Sequence, residues 1–248
     1  MSAALPPLGA RRVLVTGGGT GIGRAVAEAV LEGGGRVAVC GRREAPLREL
    51  AAAHEGRVAV LPGDVADGSF RAGLLGRARE ALGGSLDGFV FSAGVVVHQP
   101  PGLIDEESLR AQLELNLVAP LRLGEEALDV LEPGGGAVFV SSTLAHRPVP
   151  TSAAYSAAKA GMLAVMKTLA IAATTGPNTG LRVRFNAVSP GVVDTDMVKG
   201  RAEQLVGLHP LGRLGRPEEI AAAVLHLLGA PWATGTELVV DGGLLLRE

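Results

Sequence analysis

A single cysteine, Cys40, leaves this 248-residue chain unable to close an internal disulfide or to build a cysteine-ligated metal cluster. Aromatic residues are nearly as scarce. One tryptophan, one tyrosine and five phenylalanines make up 3% of the sequence, so a core must come from valine, leucine, isoleucine and alanine, which brings helices close to a sheet. Charge is thin as well: 23 lysines and arginines stand against 25 aspartates and glutamates, a formal net charge of -2. The arginines are scattered, so neither nucleic acid nor an anionic membrane surface meets a basic patch. No apolar run approaches the roughly 18 residues of a spanning helix, and the opening "MSAALPPLGA" lacks the charged start and long apolar stretch of a targeting leader. These absences predict a cytoplasmic protein with a small-molecule ligand and no metal. They also predict a loose tail at residues 1–10 ahead of one domain over 11–248.

What the chain does have is glycine, 36 of them, and a rhythm. Short valine-rich runs at 12–16, 36–40, 57–61, 87–91, 137–141, 183–188 and 237–241 alternate with longer alanine- and leucine-rich segments. The latter read as helices over 22–33, 43–54, 67–82, 106–131, 152–175 and 217–229, with "DEES" (105–108) and "RPEE" (216–219) as acidic or proline starts. Runs apolar on both faces are strands covered on both sides, and their alternation with helices implies repeated right-handed crossovers. The pattern predicts an α/β fold: a Rossmann-type doubly wound parallel sheet of about seven strands with helices on both faces.

The first strand runs directly into "TGGGTGIGRA" (16–25), whose Gly17, Gly21 and Gly23 are spaced G-x-x-x-G-x-G. In an open parallel sheet this turn borders the ligand crevice, where free amides and the helix dipole favour phosphate. The second strand ends "CGRRE", with no carboxylate to hold the ribose 2′-hydroxyl of NAD. Arg42 and Arg43 can pair a 2′-phosphate instead, so NADP(H) is expected over NAD(H).

In "AAYSAAKAG" (153–161) Tyr155 and Lys159 stand four residues apart, on one helix face. Ionising a phenol at neutral pH costs roughly 4 kcal/mol. A cation about 4 Å away in a medium of effective dielectric near 20 supplies up to about 4 kcal/mol, so the lysine is expected to bring the phenol into working range for proton transfer. Upstream, "FVSST" places Ser141 and Ser142 at the carboxyl edge of the sheet. His98, His146 and His209 carry no matching ligand spacing, and no metal is expected.

Taken in order, "TGGGTGIG", "GDV" (63–65), "SAG" (92–94), "LNL" (115–117), "SS" (141–142), "YSAAK" (155–159), "NAVSPGVVDT" (186–195) and "VVDGG" (239–243) resemble the short-chain dehydrogenase/reductase family over nearly the whole chain. The C-terminal half is similar to its 3-oxoacyl-[acyl-carrier-protein] reductases, and many ketone, sugar and steroid enzymes share the outline. The resemblance implies hydride transfer between NADP(H) and a carbonyl or secondary alcohol. Tyr155 would be the general acid/base, Ser142 rather than Ser141 the holder of the substrate oxygen, Lys159 the partner of the ribose hydroxyls, and Asn116 the holder of a water leading from Lys159 to solvent. It assigns the turn residues Gly17, Thr20, Gly21, Ile22 and Gly23 to the cofactor's phosphates. Asp64 and Val65 fall to the adenine, Ser92, Ala93 and Gly94 to the adjacent ribose, and Pro190, Gly191, Val193 and Thr195 to the nicotinamide end. It further implies a homotetramer or homodimer. The segment 196–215 is expected to cover the substrate, its Met197, Leu205 and Leu208 favouring a small or medium apolar ketone. One departure stands out: the family's two asparagines before "AG" are here Phe91 and Ser92, and since the first of them braces neighbouring strands in the family, those backbone groups need another partner beside Phe91.

Overall fold

The computed structural model describes residues 11–175 and 183–247, and the expected tail at 1–10 lies outside the described residues. The valine-rich runs become strands β1 (Arg12–Thr16), β2 (Arg36–Gly41), β3 (Val58–Pro62), β4 (Gly88–Phe91), β5 (Gly136–Val140), β6 (Arg184–Pro190) and β7 (Glu237–Val240). Among the described residues these form one parallel sheet in the order β3-β2-β1-β4-β5-β6-β7. β4, β5 and β6 are buried along their whole length, whereas the edge strands β3 and β7 are largely half-buried.

Around the sheet lie α1 (Gly21–Glu32), α2 (Glu44–Ala53), α3 (Gly68–Arg71), α4 (Leu74–Ala81), α5 (Glu106–Leu113), α6 (Ala119–Val130), α7 (Ala153–Ala172), α8 (Ala202–Val206) and α9 (Pro217–Gly229). Alternate side chains of each strand serve opposite layers, as strand geometry requires. Val13, Val15, Val39, Val90 and Val138 pack with α1 and α9; Leu14, Phe89, Phe91, Phe139 and Phe185 pack with α4, α6 and α7. The aromatic side is a run of rings across β4, β5 and β6, with neighbouring centroids 6.2–6.5 Å apart. Among the described residues no helix is long and apolar enough to cross a membrane.

Two expected helices differ in detail. The segment 67–82 breaks after α3, where Gly73 takes a left-handed φ of 70° before α4 begins. The segment 106–131 stays helical but contains a π-helical turn, Glu114–Val118, between α5 and α6. Such a turn re-aims a side chain inward, and the one at its centre is Asn116, fully buried.

Phe91 acquires a use. The ring joins the aromatic run, while the buried Thr16 Oγ1 accepts hydrogen bonds from the amides of Ser92 (3.1 Å) and Ala93 (3.3 Å). Thr16→Val is therefore expected to lower the unfolding free energy in urea by about 2 kcal/mol, because two amides lose their acceptor, and Thr16→Ser to restore most of it. Equal stability of the valine variant would show that those amides are satisfied elsewhere.

The opposite end of the sheet is held by arginine. Arg184 donates to the carbonyls of Leu227 (2.9 Å), Leu228 (2.7 Å) and Ala230 (2.7 Å), and Arg11 to that of Leu228 (2.7 Å). Together they satisfy the orphan carbonyls and the negative dipole end of α9.

Candidate active site

The strand order reverses between β1 and β4, so the loops leaving their carboxyl ends diverge and open a crevice. Its floor is the glycine-rich turn. Gly17 has φ 67°, and a Cβ there would lie 3.0 Å from the backbone N and Cα of Ala93. A Cβ on Gly23 would lie 2.3 Å from the Gly17 carbonyl oxygen, so α1 packs directly on the turn that starts it. Gly21 opens α1, Ile22 packs on the valine layer, and Thr20 at the N-cap makes no side-chain cap bond. The first turn of α1 carries no acidic residue.

Thr20 Oγ1 accepts instead from the Arg43 guanidinium at 3.2 Å, and Arg42 and Arg43 are both exposed at the end of β2. Asp64 closes the turn after β3 by accepting from the Ala66 amide at 2.9 Å, with Val65 buried behind it. Across the crevice, Ser92 and Ala93 hang from Thr16, and Gly94 faces Asn116 and Lys159. Pro190 ends β6, Gly191 donates to the Val240 carbonyl at 3.0 Å, Val193 bridges to Gly215, and the Thr195 methyl approaches Gly21. A cradle that side chains would fill, a helix start free of acidic residues and two exposed guanidiniums fit a phosphorylated dinucleotide.

Beside this crevice the structure gathers Ser142, Tyr155, Lys159 and Asn116. Ser141 is spent on structure: it is buried and donates to the Lys159 carbonyl at 3.2 Å. Ser142 is half-buried, accepts from the Leu144 amide at 3.1 Å, and is the hydrogen-bond partner of the Tyr155 hydroxyl. Tyr155 lies in the first turn of α7 and is 8% exposed. Lys159, one turn on, donates from Nζ to the Val140 carbonyl at 2.8 Å. The Asn116 Nδ2 is fully used on the carbonyls of Val95 (2.9 Å) and Gln112 (3.0 Å), and Oδ1 accepts from the Val95 amide at 3.4 Å. A Cβ on Gly94 would fall 3.1 Å from Asn116 Oδ1 and 3.7 Å from Lys159 Nζ, so this glycine keeps open the space between them.

The electrostatics correct one expectation. The lysine does not bring the phenol down in this arrangement: burial pushes Tyr155 up to about 12, and the Ser142 bond only partly opposes it. Lys159 Nζ lies 5.6 Å from the centre of the phenol ring, and burial lowers its own pKa to about 7. Desolvation moves a phenol up and an ammonium down in this way.

The histidines proved structural partners that spacing gave no sign of. His98 Nδ1 meets Thr151 Oγ1 at 3.1 Å, His146 Nε2 meets Glu237 Oε1 at 2.5 Å, and His209 Nε2 accepts from the Val192 amide at 3.0 Å. Among the described residues no group of three or more His, Cys, Asp or Glu is gathered for a metal ion.

The family model described as enoyl-(acyl carrier protein) reductase matches residues 17–245. The chain belongs to the short-chain dehydrogenase/reductase family. Carbonyl reductase family member 4 of Xenopus tropicalis is 34% identical to it over 236 residues, covering 94% of this chain and 97% of the relative. The cis-4-hydroxycyclohexanecarboxylate dehydrogenase of Sinomonas cyclohexanicum is 35% identical over 244 residues, covering 94% and 96%. A mutant short-chain dehydrogenase/reductase of Serratia marcescens has a solved structure that superposes with a TM-score of 0.88 at 31% identity, covering 96% of this chain and 99% of that one. As a short-chain dehydrogenase/reductase the protein is an oxidoreductase of carbonyl and CH–OH groups, in a family that binds NAD(P)(H).

Proposed function

We propose that this enzyme is an NADP(H)-dependent ketoreductase, one catalytic unit from Arg11 onward, with Tyr155 as general acid/base. The observation that carries the reading is the half-buried Ser142 beside the buried Tyr155 and Lys159 at the carboxyl edge of the sheet, next to the glycine cradle. Bound NADP(H) supplies or takes the hydride at the substrate carbon. The chain does the rest. Ser142 and Tyr155 share a hydrogen bond in which a substrate oxygen can take part, the serine holding that oxygen and the phenol giving it a proton in reduction or removing one in oxidation. Lys159 offers its remaining N–H groups to the ribose hydroxyls, and those acceptors offset its desolvation. Asn116 orders a water between Lys159 and solvent.

For the cofactor, the turn residues Gly17, Thr20, Gly21, Ile22 and Gly23 take the phosphates and Arg42 with Arg43 the 2′-phosphate. Asp64 and Val65 border the adenine, Ser92, Ala93 and Gly94 its ribose, and Pro190, Gly191, Val193 and Thr195 the nicotinamide end. The loops leaving β4, β5 and β6 expose Val97, Leu103, Val149, Met197 and Leu208, which supports an apolar ketone of small or medium size. The same reading includes a cytoplasmic homodimer or homotetramer; exposed Ala153, Ala157, Ala160, Ala164 and Ile171 along α7 support a helix-face contact.

An NADPH-oxidation screen across ketones, acyl thioesters and sugars, with NADH in parallel, tests the reading. Replacing both Arg42 and Arg43 by alanine is expected to lower the NADPH-to-NADH ratio of kcat/KM about 10- to 100-fold through loss of charge-assisted bonds. A preference of the unmodified enzyme for NADH would remove the NADP(H) assignment. Tight cofactor binding without turnover on any substrate would instead mark a nucleotide-binding regulator.

A further inference from the structure

His209 is 3% exposed and has no part in the chemistry above. It follows α8, where the segment 196–215 turns back toward the sheet. Its Nε2 accepts the Val192 amide at 3.0 Å, which leaves the ring proton on Nδ1, a buried atom without a hydrogen-bond partner. Burying an unpartnered N–H is unfavourable, so packing alone would be better served by an apolar ring. The other nitrogen gives the imidazole its reason.

Both backbone groups of Val192 are held by this one segment: His209 accepts from its N–H at 3.0 Å, and the Gly215 amide donates to its carbonyl at 3.0 Å. The imidazole's place is closely bounded. A Cβ on Gly191 would lie 3.0 Å from His209 Nε2, and one on Gly242 would lie 3.5 Å from the histidine Cβ. The nicotinamide-end loop is thus ordered partly by β7, through the Gly191 amide, and partly by the root of the segment that covers the substrate.

We propose that His209 is a positioning residue whose Nε2 pins the Val192 amide, coupling the order of the loop Pro190–Thr195 to the placement of the segment 196–215. The inference rests on the reading that these two stretches serve the nicotinamide end and the substrate. When the root of the segment moves, the Val192 peptide loses its acceptor, and the adjoining Val193 loses its fixed position. Substrate cover and nicotinamide placement then change together.

Two polar variants separate the acceptor from the volume, because glutamine carries its amide near the position of Nε2 and asparagine near that of Nδ1. In cofactor-free protein, His209→Asn is expected to speed hydrogen exchange of the 190–195 segment by about tenfold, and His209→Gln to keep it within about twofold of the unmodified chain. In turnover, H209N is expected to raise the KM for NADPH about five- to tenfold with a smaller change in kcat, and H209Q to reverse this. Unchanged protection in H209N overturns the proposal. So does H209Q matching H209N, which would mean that shape alone matters. The exchange measurement needs no cofactor, and turnover by the unmodified enzyme tests the oxidoreductase reading separately.

Discussion

Replacing Tyr155 by phenylalanine is expected to lower kcat by about 10²- to 10⁴-fold, the range that one positioned proton donor contributes, while the affinity for the cofactor stays within about threefold. The substitution deletes one hydroxyl from a side chain that is 8% exposed, so the ring still fills its place in α7. Ser142 keeps the Leu144 amide as a partner. Direction matters here. With the phenol pushed up to about 12 by burial, Tyr155 holds its proton at neutral pH, the form that the proposed acid role in carbonyl reduction requires. Alcohol oxidation needs the phenolate, so the oxidative kcat/KM is expected to climb with pH across the neutral and mildly alkaline range while the reductive rate does not. Initial-rate assays in both directions, with cofactor binding measured alongside, check both statements. Full activity in Y155F, or an equal loss of cofactor affinity, would remove the phenol from the mechanism.

Lys159→Met is expected to abolish most turnover and yet to stabilise the cofactor-free protein by about 3 kcal/mol at about pH 6. The lysine of an unfolded chain titrates near about 10.4, and burial lowers it to about 7 in the folded state. Below about pH 7 both states hold the proton, and the folded protein bears the full cost of an ammonium without a counter-ion, on the order of 4 kcal/mol. Between the two values the unfolded chain binds more protons, so the stability of the unmodified protein rises with pH until that cost has vanished. Methionine carries no such charge, and its gain is reduced by about 1 kcal/mol for the lost bond to the Val140 carbonyl. Thermal unfolding should show the advantage of K159M at low pH and none above the lysine range. A variant less stable than its parent at every pH would show that the ammonium has compensation in the folded protein.

Much of this arrangement could be read from the chain before any coordinates. Seven valine-rich runs define the strands because parallel strands buried on both faces tolerate little else. The turn at 16–25 announces itself because the backbone must pass under its own helix at Gly23. Tyr155 and Lys159 stand out as a phenol and an ammonium in a run of alanine, serine and glycine, and the family resemblance sets Ser142 beside them. What stayed hidden depends on distance along the chain. Thr16 supports residues 76 and 77 positions away, and a threonine at a strand end carries no mark of that duty. His209 is 17 residues from the peptide it holds. The spacing of Tyr155 and Lys159 placed them on one face correctly, but spacing is silent on where an ammonium turns. It turned to the strand carbonyl, and the phenol rose instead of falling.

The chain's poverty in aromatics has an optical consequence. Its one tyrosine, Tyr155, is the phenol proposed for proton transfer, and its one tryptophan, Trp232, is 99% exposed. Ultraviolet difference spectra at high pH would therefore record the ionisation of a single phenol with no label and no assignment problem, while tryptophan emission reports on a solvated surface. Adding a cofactor or a ketone should change the first signal and leave the second almost still.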